Sequence, residues 1–123
     1  MPIYDGTITL ACASTDVARS IQWFEETLGF RELFRTPDGT WGEVATSVEG
    51  VSIGLGTDRT PGGDGNTCPV IGVVDIGAAR SELEGKGVVF DGPTIEIPEL
   101  VKLAPFKDPD GNNYMLAESL GGD

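Results

Sequence analysis

The chain repeats itself. Asp16-Val17-Ala18-Arg19-Ser20 opens a helical apolar pattern that runs to Gly29-Phe30, and Asp75-Ile76-Gly77-Ala78-Ala79-Arg80-Ser81 opens a second that runs to Gly87-Val88. A repeat of this period requires two copies of one supersecondary unit. In the first copy, Thr7–Ala13 alternates Ile8, Leu10 and Cys12 against Thr9, Ala11 and Ala13, which is the period of a strand. Ser14 or Thr15 is placed to cap the helix that follows, with Asp16 at its positive end. Val17, Ile21, Phe24 and Leu28 line one helical face from Asp16 to Leu28, and Gly29 ends it. Extended segments then fall at Arg31–Arg35, Trp41–Ser47 and Val51–Gly56, parted by turns at Thr36-Pro37-Asp38-Gly39 and Glu49-Gly50. The order is β-α-β-β-β.

The second copy follows the same order. Cys68–Val74 reads as a strand, and Asp75 caps a helix with Ile76, Ala79 and Leu83 on one face, stopped by Gly85 and Gly87. Val88–Phe90 with Thr94–Ile97 supplies the next strand. The last two, Val101–Lys107 and Asn112–Glu118, are joined by Asp108-Pro109-Asp110-Gly111, whose order suits a type I turn closed by a glycine bulge. Phe34-Arg35-Thr36-Pro37-Asp38-Gly39 echoes that turn but joins a different strand pair, so the two share turn chemistry only. Pro61, Gly62, Gly63, Asp64 and Gly65 mark residues 57–67 as a linker. The fold class expected is α+β: two tandem βαβββ modules forming curved mixed sheets around a cleft. Module one spans about residues 1–56 and module two about 68–119, within one domain of 123 residues.

Charge narrows the function. With 20 acidic residues against 8 basic, a formal charge of -12 and no histidine, the long-range field repels nucleic acid and anionic membrane surfaces. A neutral or cationic ligand is not repelled. No apolar run suits a membrane span or a signal peptide, so a cytoplasmic protein is expected, with Cys12 and Cys68 kept as thiols. By alternation Cys12 points to the helix side and Cys68 to the cleft, so the two are not expected to bond.

The strand into Ser14-Thr15-Asp16, the helix from Trp23-Phe24 through Leu28-Gly29-Phe30, the helix between Asp75 and Gly87, and the closing Asp108-Pro109-Asp110-Gly111-Asn112 together resemble the vicinal oxygen chelate superfamily. That superfamily includes glyoxalase I, extradiol dioxygenases, fosfomycin-modifying enzymes and bleomycin-resistance proteins. The resemblance covers nearly the whole chain and implies two βαβββ modules whose half-open sheets line a pocket. It also implies a homodimer. Catalytic members hold a divalent metal with histidines and glutamates, and the matching positions here are Thr9, Gly54, Cys68 and Met115. A hydroxyl, a hydrogen, a lone thiol and a thioether do not form a hard-metal site, so neither metal nor cofactor is expected.

Thr9, Ser52, Gly54, Cys68, Val70 and Met115 are expected to face the pocket and make it small, weakly polar and soft, suited to an apolar or aromatic ligand. Trp41 and Glu43 share one strand face, where an aromatic plate beside a carboxylate suits a flat cation. Phe34 and Phe106 join this set if they turn inward. Ordinary packing remains open for Trp41, Met115 and Cys68, and solvation for Glu43. Three functions follow: metal-independent binding or sequestration of a small hydrophobic, aromatic or cationic molecule, as in the bleomycin-resistance branch; a metal-independent, glyoxalase-like isomerase or lyase with Glu43 as general base; or a scaffold without a ligand. The first is favoured.

Overall fold

A computed structural model describes residues 5–58 and 68–120, in two compact units, Met1–Gly63 and Asp64–Asp123. Residues 59–67, most of the expected linker, lie outside the described residues.

In the first unit β1 (Ile8–Ala13) leads to α1 (Val17–Trp23), which continues as one widened π turn over Phe24–Leu28. The strands β2 (Glu32–Arg35), β3 (Trp41–Ala45) and β4 (Val51–Gly56) follow. The sheet order is β1-β4-β3-β2, with β1 parallel to β4 and the other pairs antiparallel. Asp16, not Ser14 or Thr15, caps α1: its backbone is extended and its carboxylate accepts from Arg19 N at 3.1 Å. Ser14 is buried and lies 2.6 Å from the Ser20 hydroxyl, which ties the end of β1 to the helix. Gly29, at φ 74°, closes the helix as expected.

Val17, Ile21 and Phe24 of the helix pack with Val44, Ile53 and Leu55 of the sheet, all almost fully buried. The approach is close enough that a Cβ on Gly42 would lie 2.8 Å from Ile21 Cδ1 and 2.9 Å from Val17 Cγ1. Cys12 is buried on this side, and both cysteines are free thiols.

The second unit repeats the order. β5 (Val70–Gly72) leads through α2 (Ile76–Gly85) to β6 (Ile95–Ile97), β7 (Val101–Lys107) and β8 (Asn113–Ser119), in the sheet order β5-β8-β7-β6. Asp75 caps α2 through Ala78 N at 3.0 Å, and Glu118 reaches from β8 to accept Ile76 N at 2.8 Å. The strand expected from Val88 starts later, because Gly92 (φ 90°) and Pro93 interrupt it; Phe90 makes only a bridge to Phe106. Arg80 stacks over Phe90 at 4.6 Å and bonds Gly92 O and Thr94 Oγ1, which pins the interrupted stretch to the helix.

Pro105 sits within β7, an inner strand. Its carbonyl accepts Asp91 N at 2.8 Å, and its nitrogen shares that side of the strand, where β6 pairs only as far as Leu103. No ladder bond is lost there. The final turn is as expected: Gly111 N bonds Asp108 O at 3.0 Å, Gly111 has φ 84°, and Asp108 N bonds Asn112 O at 3.1 Å. Asp108 itself is buried and accepts from Asp110 N, Asn112 N, Asn112 Nδ2 and the Tyr114 hydroxyl. Among the described residues no helix is long and apolar enough to cross a membrane.

Candidate functional site

Strand alternation in the first unit sends Val44, Ile53 and Leu55 under the helix, and so turns Trp41, Glu43, Ser52 and Gly54 to the opposite face. Thr9 joins them, because β1 pairs with β4 in the register Thr9↔Ser52. The sheet thus brings together five of the residues expected at the site.

They form one connected network. The Trp41 indole Nε1 donates to Glu43 Oε2 at 3.0 Å, the Ser52 hydroxyl donates to Glu43 Oε1 at 3.2 Å, and Thr9 Oγ1 lies 3.1 Å from Ser52 Oγ. Trp41 is placed by the preceding turn, where Thr36 Oγ1 accepts its backbone N–H at 3.2 Å. Its ring then lies across β4 where that strand has no side chains. A Cβ on Gly54 would overlap Trp41 Cζ2 and Cη2, and one on Gly56 would meet the far edge of the ring and the Asp58 carboxylate. The two glycines form the bed on which the indole rests.

On the same face a groove of about 580 Å³ is lined by Thr9, Glu43 and Ser52 with Leu33 and Ala45, and Trp41 and Gly54 lie outside that lining. Arg31 also borders it and was not foreseen. The irregularity between Glu32 and Phe34 adds a residue to β2, and no periodic pattern announces such a bulge. Phe34 pairs with Glu43 and is 47% exposed, but lies outside the groove lining.

In the second unit, Met115 pairs with Val70 and Pro105 on the face away from α2, half-buried. Cys68 precedes β5 rather than lying in it, and burial pushes its thiol above the ordinary value. A thiol raised in this way is a weaker nucleophile at neutral pH. A mostly apolar groove of about 530 Å³ on this unit is bordered by Gly72, Val74, Leu100 and Ala117 and does not include either residue. Phe106 does not turn toward a ligand. It is fully buried on the helix side, stacked on Tyr114 at 5.5 Å and packed against Phe90 at 5.4 Å. The hairpin register pairs it with Tyr114 and so puts it on the face opposite Met115.

Two four-stranded mixed sheets of identical order, each crossed by one helix, define a protein of paired βαβββ modules. The sequence matches the Glyoxalase/Bleomycin resistance protein/Dioxygenase superfamily over residues 8–116, and the chain belongs to that superfamily. Among solved structures it is similar to TnmS3, an antibiotic binding protein from Streptomyces sp. CB03234, at 26% identity and TM-score 0.78, covering 97% of this chain and 99% of the other. It is also similar to a superfamily member from Sphaerobacter thermophilus at 26% identity and TM-score 0.78, covering 92% and 96%. A glyoxalase/bleomycin resistance protein from Streptomyces sp. CB03234 is similar at 27% identity and TM-score 0.70, covering 89% and 97%. No curated protein matches the sequence significantly.

The residues that the resemblance sets at the superfamily's metal positions do not fit a divalent ion. Thr9 is bonded to Ser52, Met115 offers a thioether, and the space above Gly54 that a carboxylate side chain needs holds the Trp41 ring. Among the described residues no group of three or more His, Cys, Asp or Glu is placed to hold a metal ion.

Proposed function

We propose that this protein binds and sequesters a small, flat, neutral or cationic molecule on the face of its first sheet, in the manner of an antibiotic-binding protein. The observation that carries this reading is the Trp41 indole, laid over Gly54 and held at its edge by Glu43, beside a groove that Glu43 itself lines. An aromatic plate whose orientation is set before the ligand arrives loses little entropy on binding. The carboxylate next to it answers a positive charge, and the acidic surface raises the local concentration of cations. The likeness to TnmS3 supports the same reading. The residues proposed to contact the ligand are Thr9, Trp41, Glu43 and Ser52, with Gly54 as the bed of the ring and Phe34 at the margin.

The alternative, a metal-independent glyoxalase-like enzyme with Glu43 as general base, is less well supported. Both oxygens of Glu43 already accept hydrogen bonds from Trp41 and Ser52, an arrangement suited to holding a ring in place. The protein is proposed to act in the cytoplasm as a homodimer without nucleic-acid or membrane partners. Exposed Ile95 and Ile97 on the edge strand β6 favour a covering copy.

A thermal-shift screen of small aromatic compounds tests the reading. Flat neutral or cationic compounds are expected to raise the melting temperature, because they bind only the folded state. A screen in which only anions stabilise would overturn it, and turnover of the bound compound would favour the enzyme.

A further inference from the structure

We infer that the network of Thr9, Ser52, Trp41 and Glu43 on the first-unit groove has only acceptor capacity left, and that Thr9 and Glu43 therefore favour ligands carrying N–H or O–H donors over flat ligands of equal charge without them. This rests on the aromatic-binding reading above and names the ligand chemistry that the same site prefers.

The direction of the network decides it. A carboxylate oxygen accepts and does not donate, so the bond between Ser52 Oγ and Glu43 Oε1 uses the one proton that Ser52 has. Ser52 must then be the acceptor in its 3.1 Å contact with Thr9, and the Thr9 hydroxyl is the donor. The proton of Thr9 points into the sheet, and what the exposed threonine turns toward the groove is lone pairs. The indole N–H is likewise used, on Glu43 Oε2. Every donor among Thr9, Ser52 and Trp41 is thus consumed within the network, and the acceptor capacity left over lies on Thr9 Oγ1 and the Glu43 carboxylate. A ligand group with only lone pairs finds no partner in this network and loses its water, whereas an amine, amide N–H or hydroxyl is satisfied. Arg31 borders the groove from the β2 side, outside the network.

Two flat tricyclic cations separate donor from charge: 9-aminoacridine carries N–H groups, and 10-methylacridinium carries none. Fluorescence titration of the wild-type protein is expected to give a dissociation constant on the order of tenfold lower for 9-aminoacridine, the scale of one charge-assisted hydrogen bond. Thr9→Val keeps the shape and removes the hydroxyl. It should narrow the gap between the two constants, because one of the two acceptors is lost while Glu43 remains, and Thr9→Ser should restore the full preference. Equal binding of both dyes by the wild type, or a preference undiminished in Thr9→Val, overturns the inference while leaving the aromatic site standing. If neither dye binds, the aromatic reading fails and the inference fails with it.

Discussion

Glu43 and Trp41, two residues apart on β3, are joined side chain to side chain, with the indole nitrogen 3.0 Å from a carboxylate oxygen. Alternate residues on a strand share a face, so the pair needs no long-range contact to meet. What the sheet adds is the glycine bed of β4, which lets the ring lie flat.

Trp41 is expected to matter more than Glu43 for binding. Stacking and burial of a ring contribute on the order of a few kcal/mol, whereas a partly exposed carboxylate contact contributes about one or less. Trp41→Ala should weaken a ligand found in the screen by roughly a hundredfold and Glu43→Gln by about fivefold or less. Isothermal titration of both variants checks the order, and unchanged affinity in Trp41→Ala would show the site to be elsewhere.

Gly54→Ala tests the bed itself. The new methyl must displace the Trp41 ring, which should cost about 1–3 kcal/mol of stability as overpacking and disturb tryptophan fluorescence. Ala45→Gly, on the same face one strand over, removes little and serves as the control. If Gly54→Ala leaves fluorescence, stability and ligand binding as in the wild type, the ring does not rest where the structure puts it.

Asp108 is the most heavily bonded buried carboxylate of the second unit, and Asp108→Ala is expected to cost about 2–3 kcal/mol. Burial raises its carboxyl above the ordinary 3.8, against the opposing pull of Asn112, Tyr114 and the turn amides. A value raised in the folded state gives stability that is complete below the unfolded value and is lost as pH rises through the folded one. The stability gap between wild type and Asp108→Asn should therefore widen on acidification from neutrality. Urea melts at several pH values measure it, and a gap that narrows would reverse the sign.

Metal analysis after purification without chelator should find no stoichiometric zinc, iron, nickel or manganese, since the ring over Gly54 and the bonded Thr9 leave no suitable donor set. One equivalent of any of these, or binding that depends on added metal, would contradict the donor chemistry.

Light scattering at micromolar concentration is expected to give twice the 12.9 kDa chain mass. A monomer would leave the β6 edge and its exposed isoleucines without a cover, and would remove the homodimer from the proposed function.

Much of this architecture was legible because its causes are local. A period of two, a period near 3.6, an aspartate before each helix and a glycine after it are properties of neighbouring residues, and they placed both helices and most strands within a few positions. That Trp41 shares a face with Glu43 followed from alternation, whereas Thr9 and Gly54 were expected there from the superfamily resemblance, and the register of β1, β4 and β3 brings all five together. Phe106 was open to a better reading: the turn at Asp108–Gly111 sets a register that pairs it with Tyr114, and that parity already sends it away from Met115.

The rest depends on contacts between residues far apart in the chain. Which of Ser14, Thr15 and Asp16 caps α1 was settled when the buried Ser20 took Ser14 as its partner. The bulge that brings Arg31 and Leu33 to the groove arises from the mismatch of β2 with β3, which neither strand carries by itself. The direction of the hydrogen bonds from Thr9 to Glu43 needs β1, β3 and β4 side by side, because a hydroxyl can donate only once and its choice is made by the neighbour that tertiary structure supplies.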